Sequence, residues 1–275
     1  DLPRSRGLGD VYKRQSASRY GKGSHIRNLL GGIRDDEKVI SILPMERSLI
    51  ENPEGHFLMF ATANGRIKKS KLSEYARINR NGKFALKFAD GDSDNLVSVR
   101  PATDADHVVL VSASGNACRF MPAEEKTRIS PETGESVTTY VVRVQGRISQ
   151  GVSGMKLSGN DKVIGMIVTD DFDTSVLTIS KYGMAKRSRL GSGEMLPLTE
   201  TGTPIVDESG DQIFERDGYR KTNRGTKGVR TMSLRDGDEI VGVRQIPNLD
   251  DQLFMLTASG MMIRMVSGQT KETLG

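Results

Sequence analysis

The chain has 275 residues, 30 Gly against 9 Pro, 36% hydrophobic and 27% charged residues, a balance that excludes a disordered chain and favours short strands joined by tight turns. Lys and Arg exceed Asp and Glu by 40 to 35, and the pI is near 9.3, which directs attention to polyanionic partners without establishing one. The single cysteine, Cys118, excludes an internal disulfide or a cysteine-rich zinc site and suits a reducing cytoplasm; the most apolar window, Leu253 to Met262, is broken by Thr257, Ser259 and Gly260 and is too short to span a membrane.

Residues 1–15 match no other part of the chain and read as a non-native tail, while residues 16–275 are expected to form one partial, repetitive domain. The amino end has no initiator Met and no basic-then-apolar leader, so it reads as a fragment without a secretion signal. From there one pattern recurs four times. Its openings are Arg19-Tyr-Gly-Lys-Gly23, Arg80-Asn-Gly-Lys-Phe84, Arg147-Ile-Ser-Gln-Gly151 and Arg224-Gly-Thr-Lys-Gly228. Each copy closes with an apolar run, a Ser or Thr, and Gly three residues later: Thr62 and Gly65, Ser112 and Gly115, Ser180 and Gly183, Thr257 and Gly260. Four residues past each of these glycines stands a base, namely Lys69, Arg119, Arg187 and Arg264. With bases at 40 of 275 positions, four such coincidences have a chance of about 0.0004 before any allowance for searching, so chance is a poor account of the repeat.

In chain order, the repeats predict blades near 19–72, 80–122, 147–190 and 224–267. The first carries extra residues around Glu46 to Glu54. The second contains Leu96 to Val99, Val108 to Val111 and Ala117 to Met121, and the third Val163 to Val168 and Val176 to Ile179. These runs are too short for helices and are bounded by Gly, Asp or Asn, so each blade is expected to hold about four strands. Two segments break the period, 123–144 with Pro131-Glu-Thr-Gly134 and 190–220 with Gly191-Ser-Gly193 and several acids; both read as surface loops. The expected fold is all-β, a propeller-like disc of four-stranded blades, because a lone blade cannot bury both faces of its sheet.

The opening Arg, the Gly-bounded strands and the base after the turn together resemble the carboxy-terminal domain of the A subunit of DNA gyrase. Asn28-Leu-Leu30, Phe60 to Lys69, Gly151-Val-Ser-Gly-Met-Lys-Leu157 and Asn223 to Val229 look like successive blades of that domain, and the resemblance covers roughly Ser18 to Gly275. It implies a β-pinwheel, usually of six blades with four present here, in which strands are exchanged between neighbours and duplex DNA wraps around a basic rim. It implies partners as well: duplex DNA, the remainder of the gyrase A polypeptide, and the gyrase B polypeptide in an A2B2 holoenzyme, acting in the bacterial cytoplasm with no membrane. The wrap would give ATP-dependent strand passage its sign, so that negative supercoils are added. The family's active-site Tyr, cleavage-site Mg²⁺ and ATP site lie elsewhere, which leaves this segment with no cofactor and no catalytic residue of its own. The family heptapeptide Gln-Arg-Arg-Gly-Gly-Lys-Gly is absent, as expected for a fragment that starts one blade late.

The residues expected at the DNA are Arg19, Lys22, Arg66, Lys68, Lys69, Arg80, Lys83, Arg119, Arg147, Lys156, Lys186, Arg187, Arg224, Lys227, Arg230 and Arg264. Repeated bases suit a repeated phosphate lattice, since each phosphate neutralised releases condensed counterions. The densest clusters, within 66–71, 181–189 and 220–230, contain no acid. The absence of Trp and only 5% aromatic residues argue against single-strand recognition by base stacking. His25, His56 and His107 stand singly with no metal spacing and no nucleophile motif beside them, and Cys118 suits a small core-facing position better than a reactive thiol. The competing readings are the carboxy-terminal domain of topoisomerase IV, which bends DNA without fully wrapping it, a protein-interaction propeller whose bases are incidental, and a propeller hydrolase with acids on its axis.

Overall fold

A computed structural model describes residues 21–23, 37–78, 82–88, 93–129, 134–200 and 203–272. One five-residue helix, Arg47–Glu51, precedes the strands. The first hairpin is β1 (Phe57–Thr62) and β2 (Arg66–Lys71), followed by β3 (Leu96–Ala102). The second is β4 (His107–Ser112) and β5 (Asn116–Phe120), followed by an arm of β6 (Glu125–Ile129) and β7 (Ser136–Tyr140), then by β8 (Val152–Ser153) and β9 (Val163–Thr169). The third hairpin is β10 (Ser175–Ser180) and β11 (Ala185–Arg189). A second arm holds β12 (Met195–Pro197), β13 (Thr199–Glu200), β14 (Thr203–Pro204) and β15 (Phe214–Arg216). The chain continues through β16 (Val229–Arg230) and β17 (Ile240–Ile246) to a fourth hairpin, β18 (Gln252–Leu256) and β19 (Met262–Val266).

Three sheets carry the repeat, in the orders β3-β1-β2-β8, β9-β4-β5-β16 and β17-β10-β11. In each, a hairpin is flanked by an inner strand from a later segment, and in the two four-stranded sheets the hairpin supplies both middle strands. The outermost strand arrives only after the chain has built the next hairpin: β8 follows β4 and β5 yet pairs with β2, and β16 follows β10 and β11 yet pairs with β5. Strands are therefore exchanged between blades, and a stretch such as 147–190 feeds three sheets rather than forming one. The segments 123–144 and 190–220 are antiparallel hairpin arms rather than loops, with β6 paired to β7 and β12 to β15.

The turn chemistry repeats residue for residue. Gly65, Gly115, Gly183 and Gly260 have φ of 79°, 84°, 83° and 84°, and each donates its N–H to the carbonyl of the Ser or Thr three residues earlier, at 2.9–3.1 Å. Glycine is required at the first two for a second reason. A Cβ would lie 2.6 Å from Met155 O at Gly65 and 2.5 Å from Met232 O at Gly115, where the segment beyond the outermost strand crosses the turn. The same irregularity also recurs where the inner strand pairs, at Ala61/Thr62, Val111/Ser112 and Ile179/Ser180.

The core lies between the sheets. Strand β4 is buried at all six positions; Val108 and Leu110 face one apolar cluster with Met59, Ile67 and Phe120, while Val109 and Val111 face another with Val176, Leu190 and Ile240. A continuous Val-Val-Leu-Val run is what a strand covered on both faces requires. The inner strands β3 and β17 both pack beside β9.

Candidate nucleic-acid interface

A blade covered on both faces leaves two places for a solvated cation: the outermost strand with its flanking loops, and the arms. Three of the four post-turn bases are enclosed between the sheets instead. Lys69, Arg119 and Arg187 are 3%, 1% and 6% exposed. Each lies opposite an apolar residue of its own hairpin, Met59, Val109 and Leu177, and Arg264 lies opposite Phe254. Each also reaches diagonally to the residue two positions further along. Lys69 Nζ sits 4.0 Å from the Phe57 ring centroid. Arg119 Nε donates to His107 Nδ1 at 3.2 Å, Arg187 donates to Ser175 Oγ at 3.3 Å, and Arg264 Nε to Gln252 Oε1 at 2.5 Å.

The first three of these bases anchor other parts of the chain. Arg119 donates to the carbonyls of Leu190 and Tyr219 at 2.7 and 2.9 Å, Arg187 pairs with Glu272 at 2.6 Å, and Lys69 pairs with Asp104 at 2.5 Å. The backbone runs alongside as well: Gln145 N–H donates to Lys69 O, Thr222 N–H to Arg119 O, and Arg187 N–H to Lys271 O. Lys68, fully buried, donates to Ala85 O and Arg147 O, and burial holds its ammonium down to about 8. Burial likewise lowers Arg119 to about 10, although the Asp217 and Glu194 carboxylates oppose the shift. Lys68, Lys69, Arg119 and Arg187 are thus removed from the expected DNA-facing set, because stacking between sheets encloses them and other parts of the chain take most of their donors, with Arg119 Nη2 and Arg187 Nε buried without a hydrogen-bond partner among the described residues.

Several other expected residues are half-buried tethers. Arg66 donates to the carbonyls of Gln150 and Gly151, Lys83 to Glu74 O, Lys186 to Thr231 O, and Arg224 to the carbonyls of Val141 and Ser153. Arg147 faces Glu74 at 3.9 Å. Arg19 and Arg80 lie outside the described residues. Lys22, Lys156, Lys227, Arg230 and Arg264 are exposed.

Lys156, Lys227 and Arg230 are brought together by the strand exchange. They flank or occupy the outermost strands β8 and β16, whose segments join through Gly225 N–H to Gly154 O at 2.8 Å and Lys156 N–H to Thr226 O at 2.9 Å. None of the three is ion-paired among the described residues. Arg143 and Arg220, which the repeat did not single out for the DNA-facing set, are exposed in the same region, and Lys221 there pairs with Glu194 at 2.7 Å. A groove of about 590 Å³ runs between the β6–β7 arm and the outer edge, lined by Lys126, Tyr140, Arg143, Val152 and Arg224. The sequence signal for this region is the acid-free span 220–230; nothing periodic marks Lys126, within β6, or Arg143, just past β7, because the arm sequences do not repeat from blade to blade. Among the described residues no three His, Cys, Asp or Glu side chains converge to hold a metal ion, and no helix is long and apolar enough to cross a membrane. Cys118 is buried in the core, 3.1 Å from Thr222 Oγ1.

Comparison with known proteins bears on this arrangement. A family model described as DNA gyrase C-terminal domain, beta-propeller, matches residues 15–44, 56–103, 136–170 and 213–247, just over half of the chain. The A subunit of DNA gyrase from Rickettsia prowazekii (strain Madrid E) is 30% identical over 280 residues, covering 92% of this chain and 28% of its own length. The A subunit of DNA gyrase from Escherichia coli (strain K12) is 30% identical over 255 residues, covering 92% and 23%. The chain thus spans about a quarter of the length of these curated relatives. Among solved structures, the C-terminal domain of DNA topoisomerase IV superposes with a TM-score of 0.65 at 20% identity, over 92% of this chain and 65% of that one, a likeness of fold alone.

Proposed function

The chain belongs to the DNA gyrase C-terminal domain family, and we propose that it binds duplex DNA through the backbone phosphates along the outer edge of its blades, as part of the A polypeptide of a gyrase. The observation that carries this reading is the junction of β8 and β16, which aligns Lys156, Lys227 and Arg230 on consecutive blades with no carboxylate partner among the described residues. Phosphate contacts of this kind position a duplex without reading its sequence.

A wrap follows from the same geometry extended blade by blade. Smooth bending of a 20–30 base-pair site by 40–90° costs on the order of 1–6 kcal/mol, so cations must be distributed along the arc rather than concentrated at one point. Exchange of the outermost strands provides that distribution, because each blade's rim is physically continuous with the next. On this reading the domain presents a curved duplex of fixed hand to the holoenzyme formed with the gyrase B polypeptide, and so sets the sign of ATP-dependent supercoiling in the bacterial cytoplasm. DNA cleavage, Mg²⁺ and ATP chemistry belong to other parts of that holoenzyme. The test relaxes closed circular DNA with a topoisomerase in the presence of the chain, removes the protein, and reads the linking number. A signed shift that grows with protein concentration supports a chiral wrap; DNA that binds but shows no shift contradicts wrapping and leaves simple binding.

A further inference from the structure

The inner strands present a second feature, remote from the rim. Pairing registers make Arg100 of β3, Ile167 of β9 and Arg244 of β17 equivalent, because they lie opposite Met59, Val109 and Leu177 of the three hairpins. In the middle strand that position holds a buried isoleucine, so blade construction has no need of arginine there. Yet Arg100 and Arg244 line one cavity of about 260 Å³, together with Ser41, Ser98, Ile164 and Gly165. Among the described residues no carboxylate lines it and neither arginine has an acidic partner. Each guanidinium donates a hydrogen bond to the carbonyl preceding it on its own strand, Arg100 to Val99 at 3.1 Å and Arg244 to Val243 at 3.0 Å. That contact consumes one of five donors and leaves the others available. Both guanidinium groups border the same cavity, and burial, then the charge of Arg244, lower the pKa of Arg100.

We propose that Arg100 and Arg244 form a binding site for a small phosphate-bearing anion on the inner-strand side of the blades, separate from the DNA rim. Paired guanidinium forks with spare donors match the oxygens of a phosphate group, and an anion between them removes their mutual repulsion. The volume is below that of a drug-sized pocket and corresponds to roughly eight or nine waters, room for a phosphate or diphosphate group and not for a duplex. The seryl hydroxyls of Ser41 and Ser98 add donors, while Gly165, which has no space for a Cβ beside Val243, keeps the inner strands close.

The experiment uses the chain as it stands, with inorganic phosphate and then pyrophosphate as probes at ionic strength held constant with sodium chloride. Phosphate is expected to raise the thermal midpoint in a saturable manner. Arg100→Ile and Arg244→Ile, which import the residue already tolerated at Ile167, are each expected to weaken the apparent affinity roughly tenfold, and the double variant to abolish the effect. Charge reversal at Lys156, Lys227 and Arg230 should leave it intact, so a failed rim does not count against this site. A shift of equal size in the double variant, or none beyond that of chloride, overturns the proposal. Should the variants fold poorly, side-chain NMR of the unaltered chain decides: the Nε–Hε signals of Arg100 and Arg244 must titrate together with phosphate, and unmoved signals refute the site.

Discussion

Arg119 donates its Nε–H to Nδ1 of His107 across the diagonal of the second hairpin, at 3.2 Å, with the Phe172 ring 5.2 Å from the guanidinium carbon. The bond needs an unprotonated Nδ1, and the arginine's remaining contacts are the carbonyls of Leu190 and Tyr219. One buried cation thus holds together its own hairpin, the end of the third hairpin and the segment leading to β16. Truncation would leave two carbonyls unsatisfied in a closed space, at about 1–3 kcal/mol each, and a cavity beside them. Arg119→Ala is therefore expected to destabilise the fold by about 3–5 kcal/mol, measured by urea unfolding. Lys227→Ala, exposed and unpaired, should stay within about 0.5 kcal/mol.

The same pair sets a pH dependence. Burial, then the positive charges of Arg119 and Lys221, push His107 down to about 4 from its ordinary 6.5. Between those values the unfolded chain binds a proton that the folded chain refuses, so stability falls as pH drops from about 6.5 to 4 and is flat above that window. The full shift corresponds to roughly 3 kcal/mol, and partial screening by solvent lowers the expectation to about 2. Denaturation midpoints for the parent and His107→Asn should diverge across this window, with the variant showing the shallower acid slope.

Turn glycines that look identical in sequence should differ in tolerance. Gly65→Ala places a methyl 2.6 Å from Met155 O as well as demanding φ of +79°, whereas Gly260→Ala at φ +84° meets nothing within 4 Å. Backbone strain alone costs on the order of 1–3 kcal/mol, so the Gly260 variant should lose about that much and the Gly65 variant clearly more. Thermal unfolding of the two proteins side by side gives the comparison.

The repeat made the hairpins legible, because a Ser or Thr, a left-handed glycine and a base at fixed offsets are local requirements that each copy must satisfy. What the base does was not legible. Lys69 and Arg187 sit in acid-free clusters like those of a solvated edge, and only the neighbouring sheets, which cover both faces, reveal that they are enclosed. The outermost strands β8 and β16 lie where a strand is expected, directly after the openings at Arg147 and Arg224, but no periodicity names their partners: they are two residues each, and Arg66 and Ser153 pair across more than 80 residues of sequence. The arms read as loops because stretches such as Ser136-Val-Thr-Thr-Tyr140 are polar and exposed on both faces. By contrast the basic, acid-free span 220–230 is legible in the sequence, and Arg220, Lys221, Lys227 and Arg230 within it are exposed beside the exchanged strand.

The second arm should be dispensable for folding. Residues 194–215 contribute no buried side chain among those described, and Asp217 and Tyr219, which do pack inward, lie beyond it. Replacing Pro197 to Phe214 with a two-residue Asn-Gly turn, which keeps Leu196 opposite Glu215, is expected to leave the unfolding midpoint within a few degrees. A collapse of stability would show instead that the arm braces the third sheet.

The most direct test of the rim is equilibrium binding of a linear duplex by fluorescence anisotropy across 50–200 mM salt, comparing the parent, Lys156→Glu/Lys227→Glu/Arg230→Glu, and Lys69→Met. The parent should lose affinity steeply with salt. The triple reversal should weaken binding at least a hundredfold and flatten the slope of log K against log salt by roughly 2.7, three phosphate contacts at about 0.9 each, while folded Lys69→Met keeps the parental slope. If instead the triple variant binds like the parent and Lys69→Met does not, the phosphates are met by the post-turn bases and the account given for the outer edge is wrong.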